Sequence, residues 1–173
     1  MVGLPGRRIW IEVDRCVRFV HDAITLFGRY INLAPDTQSR SCYYQARGNL
    51  RRATEIYGEI VQEARRIARP PTEHASEELM ARKRKLLEDD RILVRGKAGA
   101  ELERELLQDD LLRKWLGAEE IRRLLAHYLE QQEIRRRQLP NIKLRILLAY
   151  LDERLKRAQE LEAKAKTRYE THH

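Results

Sequence analysis

Arginine is the residue type in this chain with the most chemistry to offer. It outnumbers lysine 27 to 8, and no lysine precedes Lys83. A planar guanidinium fork makes bidentate contacts with phosphate or carboxylate. Arg40, Arg47 and Arg51 share one side of a helical pattern, Arg65, Arg66 and Arg69 follow, and Arg135, Arg136 and Arg137 form a later run. Such a series could track a phosphate backbone, because phosphate contacts supply most sequence-independent affinity for nucleic acid. It could equally meet the carboxylates of an acidic protein. The net charge of +8 and pI near 9.7 favour anionic partners of every kind without choosing among them. Acids are interleaved throughout, no RRM or KH signature is visible, and a compositional bias of the gene would produce the same arginine excess.

Other chemistries find little support. The histidines are His21, His74, His127, His172 and His173, and neither Cys16 nor Cys42 lies in a CxxC or at a zinc-ligand spacing. There is no GxxxxGK[ST] phosphate loop, no GxGxxG after a strand and no nucleophile elbow. Glu88-Asp89-Asp90 and Asp109-Asp110 read as groups on wet helix faces. No catalytic residue, metal ligand or cofactor is therefore expected. Two cysteines cannot staple a scaffold, and Cys16 falls in an apolar helical pattern, so a buried thiol and a reducing, intracellular compartment are expected.

The elements that position these residues read as helices. Val13, Val17, Val20, Ile24, Phe27 and Ile31 alternate spacings of four and three, one stripe of a helix over 9–33. Cys16, Ala23 and Tyr30 widen the stripe, and Phe19, Leu26 and Leu33 suggest that a second side is buried. Pro35 and Asp36 punctuate its end. Asp36, Thr37 or Ser39 offers a cap for a second helix carrying Tyr43, Ala46, Leu50, Ala53, Tyr57, Ile60, Ala64 and Ile67. The two predict an antiparallel hairpin. Seven of the eleven aromatics lie in the first 57 residues, which places the core there.

Pro70 and Pro71 end this unit, because proline cannot continue a helix. Leu79/Met80, Leu86/Leu87 and Leu93/Val94 then form a narrow seam on a long exposed helix, followed by a hinge at Gly96 and Gly99. A fourth helix is expected from Ala100 to Leu116 and a fifth from Ala118. Pro140 and Asn141 break that one. A last helix from about Ile142 carries Leu144, Leu148, Leu151, Leu155 and Ala158 before fading into KAKTRYETHH. The class is all-α: a hairpin core over 1–69, an exposed helix and hinge over 70–99, and a C-terminal helical region over 100–173. No run approaches the roughly 20 apolar residues that span a bilayer. Glu12 and Asp14 argue against a cleaved mitochondrial presequence and leave an uncleaved signal open.

Two family resemblances follow from short motifs. Arg122 and His127, in IRRLLAHYL, resemble the R-x4–6-H element of HEPN-type ribonucleases, where a basic pair binds and cleaves RNA. The polar residue that commonly follows the arginine there is Arg123 here. Leu26-Phe27-Gly28 with Arg29, and Tyr44, Arg47, Leu50 and Arg51 in YQARGNLR, resemble the two motifs of the LYR-motif proteins, which are small basic helical subunits and assembly factors of mitochondria. The likeness covers about residues 20–55 and departs from the pattern in two places. Gly28 stands at the third motif position, with Arg29 rotated about 100° around the helix, and Thr54 stands where a phenylalanine follows the second arginine. The resemblance implies a hydrophobic slot for the acyl-pantetheine arm of an acyl carrier protein. Arg29, Arg47 and Arg51 would then meet that partner's acidic surface.

The reading that joins these observations is a non-catalytic helical subunit of a larger protein assembly, with a mitochondrial complex as the host that the resemblance implies. The seams Leu79/Leu86/Leu93 and Leu144/Leu148/Leu151/Leu155 are expected to pack on other protein subunits. An RNA-binding or ribosome-associated protein using Arg135, Arg136 and Arg137 is the alternative, and a HEPN-like nuclease the third.

Overall fold

The computed structural model describes residues 6–33, 37–67, 97–131 and 139–172. Every element among them is a helix: α1 Arg7–Asn32, α2 Thr37–Ile67, α3 Lys97–Leu107, α4 Asp110–Trp115, α5 Ala118–Gln131 and α6 Leu139–His172. The all-α class is borne out. The chain divides into two compact units, one formed by Arg7–Glu63 with Leu148–His173, the other by Met1–Gly6 with Ala64–Leu147. The C-terminal region expected over 100–173 is therefore shared between them. The seam at Leu79, Leu86 and Leu93, Gly96, the Pro70-Pro71 stop and Arg135 to Arg137 lie outside the described residues.

The first unit is a three-helix arrangement. In α1 most of the expected stripe is buried: Val13, Cys16, Val17, Val20, Ala23, Phe27 and Tyr30 are at most 1% exposed, while Ile24 and Ile31 at its edge are half-buried. The second row, Phe19, Leu26 and Leu33, is half-buried. In α2, Tyr43, Ala46, Leu50, Ala53 and Ile60 turn inward as their spacing predicts, and Ile56 joins them. The Cys16 thiol donates to the Ala53 carbonyl and the Cys42 thiol to the Leu26 carbonyl, each at 3.3 Å. Residues early in α1 thus meet residues late in α2, as in an antiparallel pair.

The third helix of this unit is the C-terminal part of α6. Leu151, Leu155, Ala158, Leu161 and Ala165 are buried along one side. Its final turns carry Tyr169 against Tyr43 and Tyr44 of α2, and the Arg168 guanidinium donates to the carbonyl of Leu33 at the end of α1. The helix therefore does not fade at KAKTRYETHH, and Leu151 and Leu155 need no second protein to cover them. Each fully buried leucine contributes about 2 kcal/mol. An exposed pair such as Lys156–Asp152, at 2.9 Å, is screened by solvent and contributes far less. The apolar stripe is what holds α6 in place.

In the second unit the expected fourth helix is broken into α3 and α4. The Asp109 side chain accepts the Leu112 N–H at 3.1 Å and starts a new helix, as a helix-capping carboxylate does. The Gln108 N–H returns to the Arg104 and Glu105 carbonyls and closes α3. Gly99 lies inside α3, so the hinge expected there is helical. Pro140 sits in the first turn of α6, where a missing N–H costs no helical hydrogen bond. Leu102, Leu106, Leu112, Leu116, Ile121, Leu124, Leu125, Ile142, Leu144, Ile146 and Leu147 are all buried.

Candidate partner-binding site

The site sits on the first unit and is organised by α2. Arg40, Tyr44, Arg47 and Arg51 follow one another at spacings of four, three and four, which stacks them on one face of the helix. The opposite periodicity, Tyr43, Ala46, Leu50 and Ala53, is spent on the core. All four residues of the outer row are exposed, Tyr44 to 53%. Among the described residues none of the three arginines has a carboxylate partner. Three guanidinium groups thus share one helix face without a direct ion pair among the described residues.

Next to this row runs an open groove of about 550 Å³ between α2 and α6. It is lined by Tyr44, Arg47, Gly48, Leu50, Arg51, Thr54 and Glu55 of α2 and by Gln159 and Glu162 of α6. Gly48 leaves its wall low, with nothing within 4 Å of where a Cβ would stand. The Thr54 hydroxyl donates back to the Leu50 carbonyl at 2.8 Å, so its polar group is engaged by its own helix. Glu55 is paired with Arg52 at 3.3 Å.

Tyrosines close one end of the row. The Tyr44 and Tyr169 hydroxyls are 2.8 Å apart, and Arg40 Nε donates to the Tyr169 hydroxyl at 3.3 Å. The Tyr169 ring stacks on Tyr43 with centroids 4.4 Å apart and planes within 15°. Arg47 lies over the other aromatic edge, 5.6 Å from the Tyr43 centroid, within the range of a cation–π contact. The hydrogen bond with Tyr44, aided by Arg40 and Arg47, holds the Tyr169 phenol below its ordinary pKa. The same bond raises that of Tyr44. Burial raises the Tyr43 phenol.

Four of the seven residues expected to meet a partner, Tyr44, Arg47, Leu50 and Arg51, come together in this groove. The other three do not line it. Phe27 is fully buried, edge-on to Tyr43 at 6.4 Å. Leu26 is half-buried, and Arg29 is exposed on α1, where its charge lowers the Cys42 thiol pKa against a larger rise caused by burial. On α1, Phe27 faces the core, and the Leu26 carbonyl accepts the Cys42 thiol.

The structure adds residues that the sequence reading passed over. Glu162 and Tyr169 lie one and two heptads after Leu155 and are half-buried along the edge of the α6 stripe. Small Ala158 and Ala165, both fully buried, were the available signal. The remaining candidates are dispersed. Arg122 is held by Glu103 at 2.8 Å, and His127, five residues on, is turned about 140° around α5. Both are exposed, so the two side chains share no helix face.

Cys16 and Cys42 are free and buried, and burial pushes the Cys16 thiol up to about 12. Asp109 caps α4 and pairs with Lys143 at 2.8 Å. No group of metal-binding side chains exists among the described residues, and none of the described helices is long and apolar enough to cross a membrane. Compared with protein-family models, with curated proteins and with solved structures, the chain has no match in any of the three.

Proposed function

We propose that the protein is a non-catalytic helical accessory subunit of a larger protein assembly, and that the arginine face of α2 with its adjoining groove holds an acidic protein partner. The observation that carries this reading is the joint placement of Tyr44, Arg47, Leu50 and Arg51 around one open groove, with arginines that have no carboxylate partner among the described residues. Unpaired surface guanidinium groups attract carboxylates at long range and bind them in bidentate fashion on contact. An exposed tyrosine among them is the residue type that anchors protein interfaces.

The likeness to LYR-motif proteins supplies the kind of partner and host: an acyl carrier protein within a mitochondrial assembly. The groove is a candidate for the slot that this likeness implies, with Thr54 in place of the expected phenylalanine leaving it open at that side. Support no longer includes an uncovered seam on α6, because Leu144, Leu151 and Leu155 are buried within the chain.

The test is affinity purification from the native source of the wild-type chain and of an Arg47→Glu/Arg51→Glu double variant. An acidic protein should accompany the first and be lost from the second, with helicity and melting temperature unchanged. Recovery of a lone monomer would overturn the proposal. Ribonuclease-sensitive recovery of RNA would transfer it to the RNA-binding alternative.

A further inference from the structure

The aromatic end of the site has a chemistry independent of any partner. Tyr44 and Tyr169 come from different helices, 125 residues apart in sequence, yet their hydroxyls are 2.8 Å apart. Their ring centroids are separated by 5.6 Å and their planes cross at 74°. Hydroxyls in contact bring the two rings together at their oxygen-bearing ends, in a T-shaped relation. A biaryl bond lies in both ring planes with the rings twisted about it, so coupling requires the exposed Tyr44 ring to swing its ortho carbon onto that of Tyr169. Tyr43 and Tyr169 are stacked face to face instead, so an in-plane bond between them would require a ring to leave its packing.

The surroundings favour the same pair. Tyr44 is 53% exposed, whereas Tyr43 is 2% exposed and Tyr30 1%, so an external oxidant reaches Tyr44 first. Arg40 donates to the Tyr169 oxygen and stabilises negative charge there as the phenol proton leaves. The thiols, usually the first groups to be oxidised, react as thiolates. Cys16 and Cys42 are buried and held protonated.

We propose that Tyr44 and Tyr169 form an oxidative modification site, at which a one-electron oxidant of the haem peroxidase and hydrogen peroxide class joins the two rings as a dityrosine. Each phenol gives up one electron and one proton to the oxidant. The two phenoxyl radicals couple through a new carbon–carbon bond between their ortho positions, and the hydrogens on those carbons move to the oxygens as the rings regain aromaticity. One hydrogen peroxide is reduced to two waters, and the chain loses two hydrogens in all. The product ties α2 to the last turn of α6 covalently. It closes a long loop in the unfolded chain, which raises the melting temperature as a disulfide of similar span does.

The experiment treats the dilute full-length protein with a haem peroxidase and limiting hydrogen peroxide. Dityrosine fluorescence should grow in a monomer whose mass falls by two hydrogens. Tryptic mapping should join the peptide Ser41–Arg47 to the peptide that begins at Tyr169. The link should survive Tyr43→Phe and vanish in Tyr44→Phe and in Tyr169→Phe. Fragmentation of the joined wild-type peptides, which places the link on Tyr43 or on Tyr44 within Ser41–Arg47, decides the matter by itself if a variant misfolds. A link through Tyr43 or another tyrosine, cross-links between chains, or tyrosine loss without this link would each overturn the proposal.

Discussion

The guanidinium of Arg168, five residues from the end of the sequence, donates to the carbonyl of Leu33 just beyond α1 and lies 5.9 Å from the centre of the Tyr30 ring. A cation at this place meets the negative end of the α1 dipole and a carbonyl that has no helical partner. Arg168→Ala should lower unfolding free energy by about 1–2 kcal/mol, the scale of a charge-assisted hydrogen bond at a half-buried site. Arg168→Lys keeps the charge without the planar fork and should lose less. Urea unfolding followed by circular dichroism measures both.

Asp109 uses its two oxygens for different purposes, Oδ1 accepting the Leu112 N–H and Oδ2 pairing with Lys143 at 2.8 Å. Asp109→Ala removes the cap, worth about 1 kcal/mol, and also removes the carboxylate that pairs with Lys143. Asp109→Asn keeps a capping oxygen and loses only the ion pair. Hydrogen exchange of the α4 amides should therefore speed up strongly in the first variant and weakly in the second. Equal effects would show that the pair, rather than the cap, separates α4 from α3.

Burial raises the Cys16 thiol from 9.0 to about 12. The unfolded chain then releases its proton before the folded one, so this contribution to stability is complete below pH 9 and declines as the pH rises toward 12. The buried phenols of Tyr30 and Tyr43, raised for the same reason, act in the same direction. Stability measured in urea should fall through this alkaline window, and the fall should be shallower in Cys16→Ala. At neutral pH a thiol reagent should modify neither cysteine until the bundle opens.

Gly28 and Gly48 lie within helices, with nothing within 4 Å of a Cβ built on either. Replacing a glycine in a helix interior by alanine reduces the backbone freedom lost on folding. Gly28→Ala and Gly48→Ala should each raise stability by about 0.5–1 kcal/mol. Gly48→Leu should be at least as stable as the parent chain while projecting a side chain into the groove beside Arg47 and Arg51. Loss of the acidic partner from this variant, with no loss of melting temperature, is the expected result of a pull-down. Retention would place the partner elsewhere.

The sequence by itself determined the helical class, the buried stripe of α1 and the inward face of α2. Each of those follows from spacing: Val13, Val17 and Val20 return to one side of a helix, as do Tyr43, Ala46 and Leu50, and apolar groups at that period have one way to leave water. By the same geometry it placed Arg40, Arg47 and Arg51 on the outer face.

Tertiary structure alone decided which helix would face that row. Leu151 and Leu155 read as a seam awaiting another protein, because periodicity identifies an apolar stripe without naming the surface that covers it. The polar tail KAKTRYETHH read as fading because its inward residues are one alanine, Ala165, with Arg168 and Tyr169, which contribute little hydropathy. Their value lies in close approach and in contacts with Leu33, Tyr43 and Tyr44, more than a hundred residues away in sequence. Asp109 made the opposite case. Its acid-rich neighbourhood read as a wet face, and only the Leu112 N–H and the Lys143 ammonium brought to it by folding turn it into a cap and an ion pair.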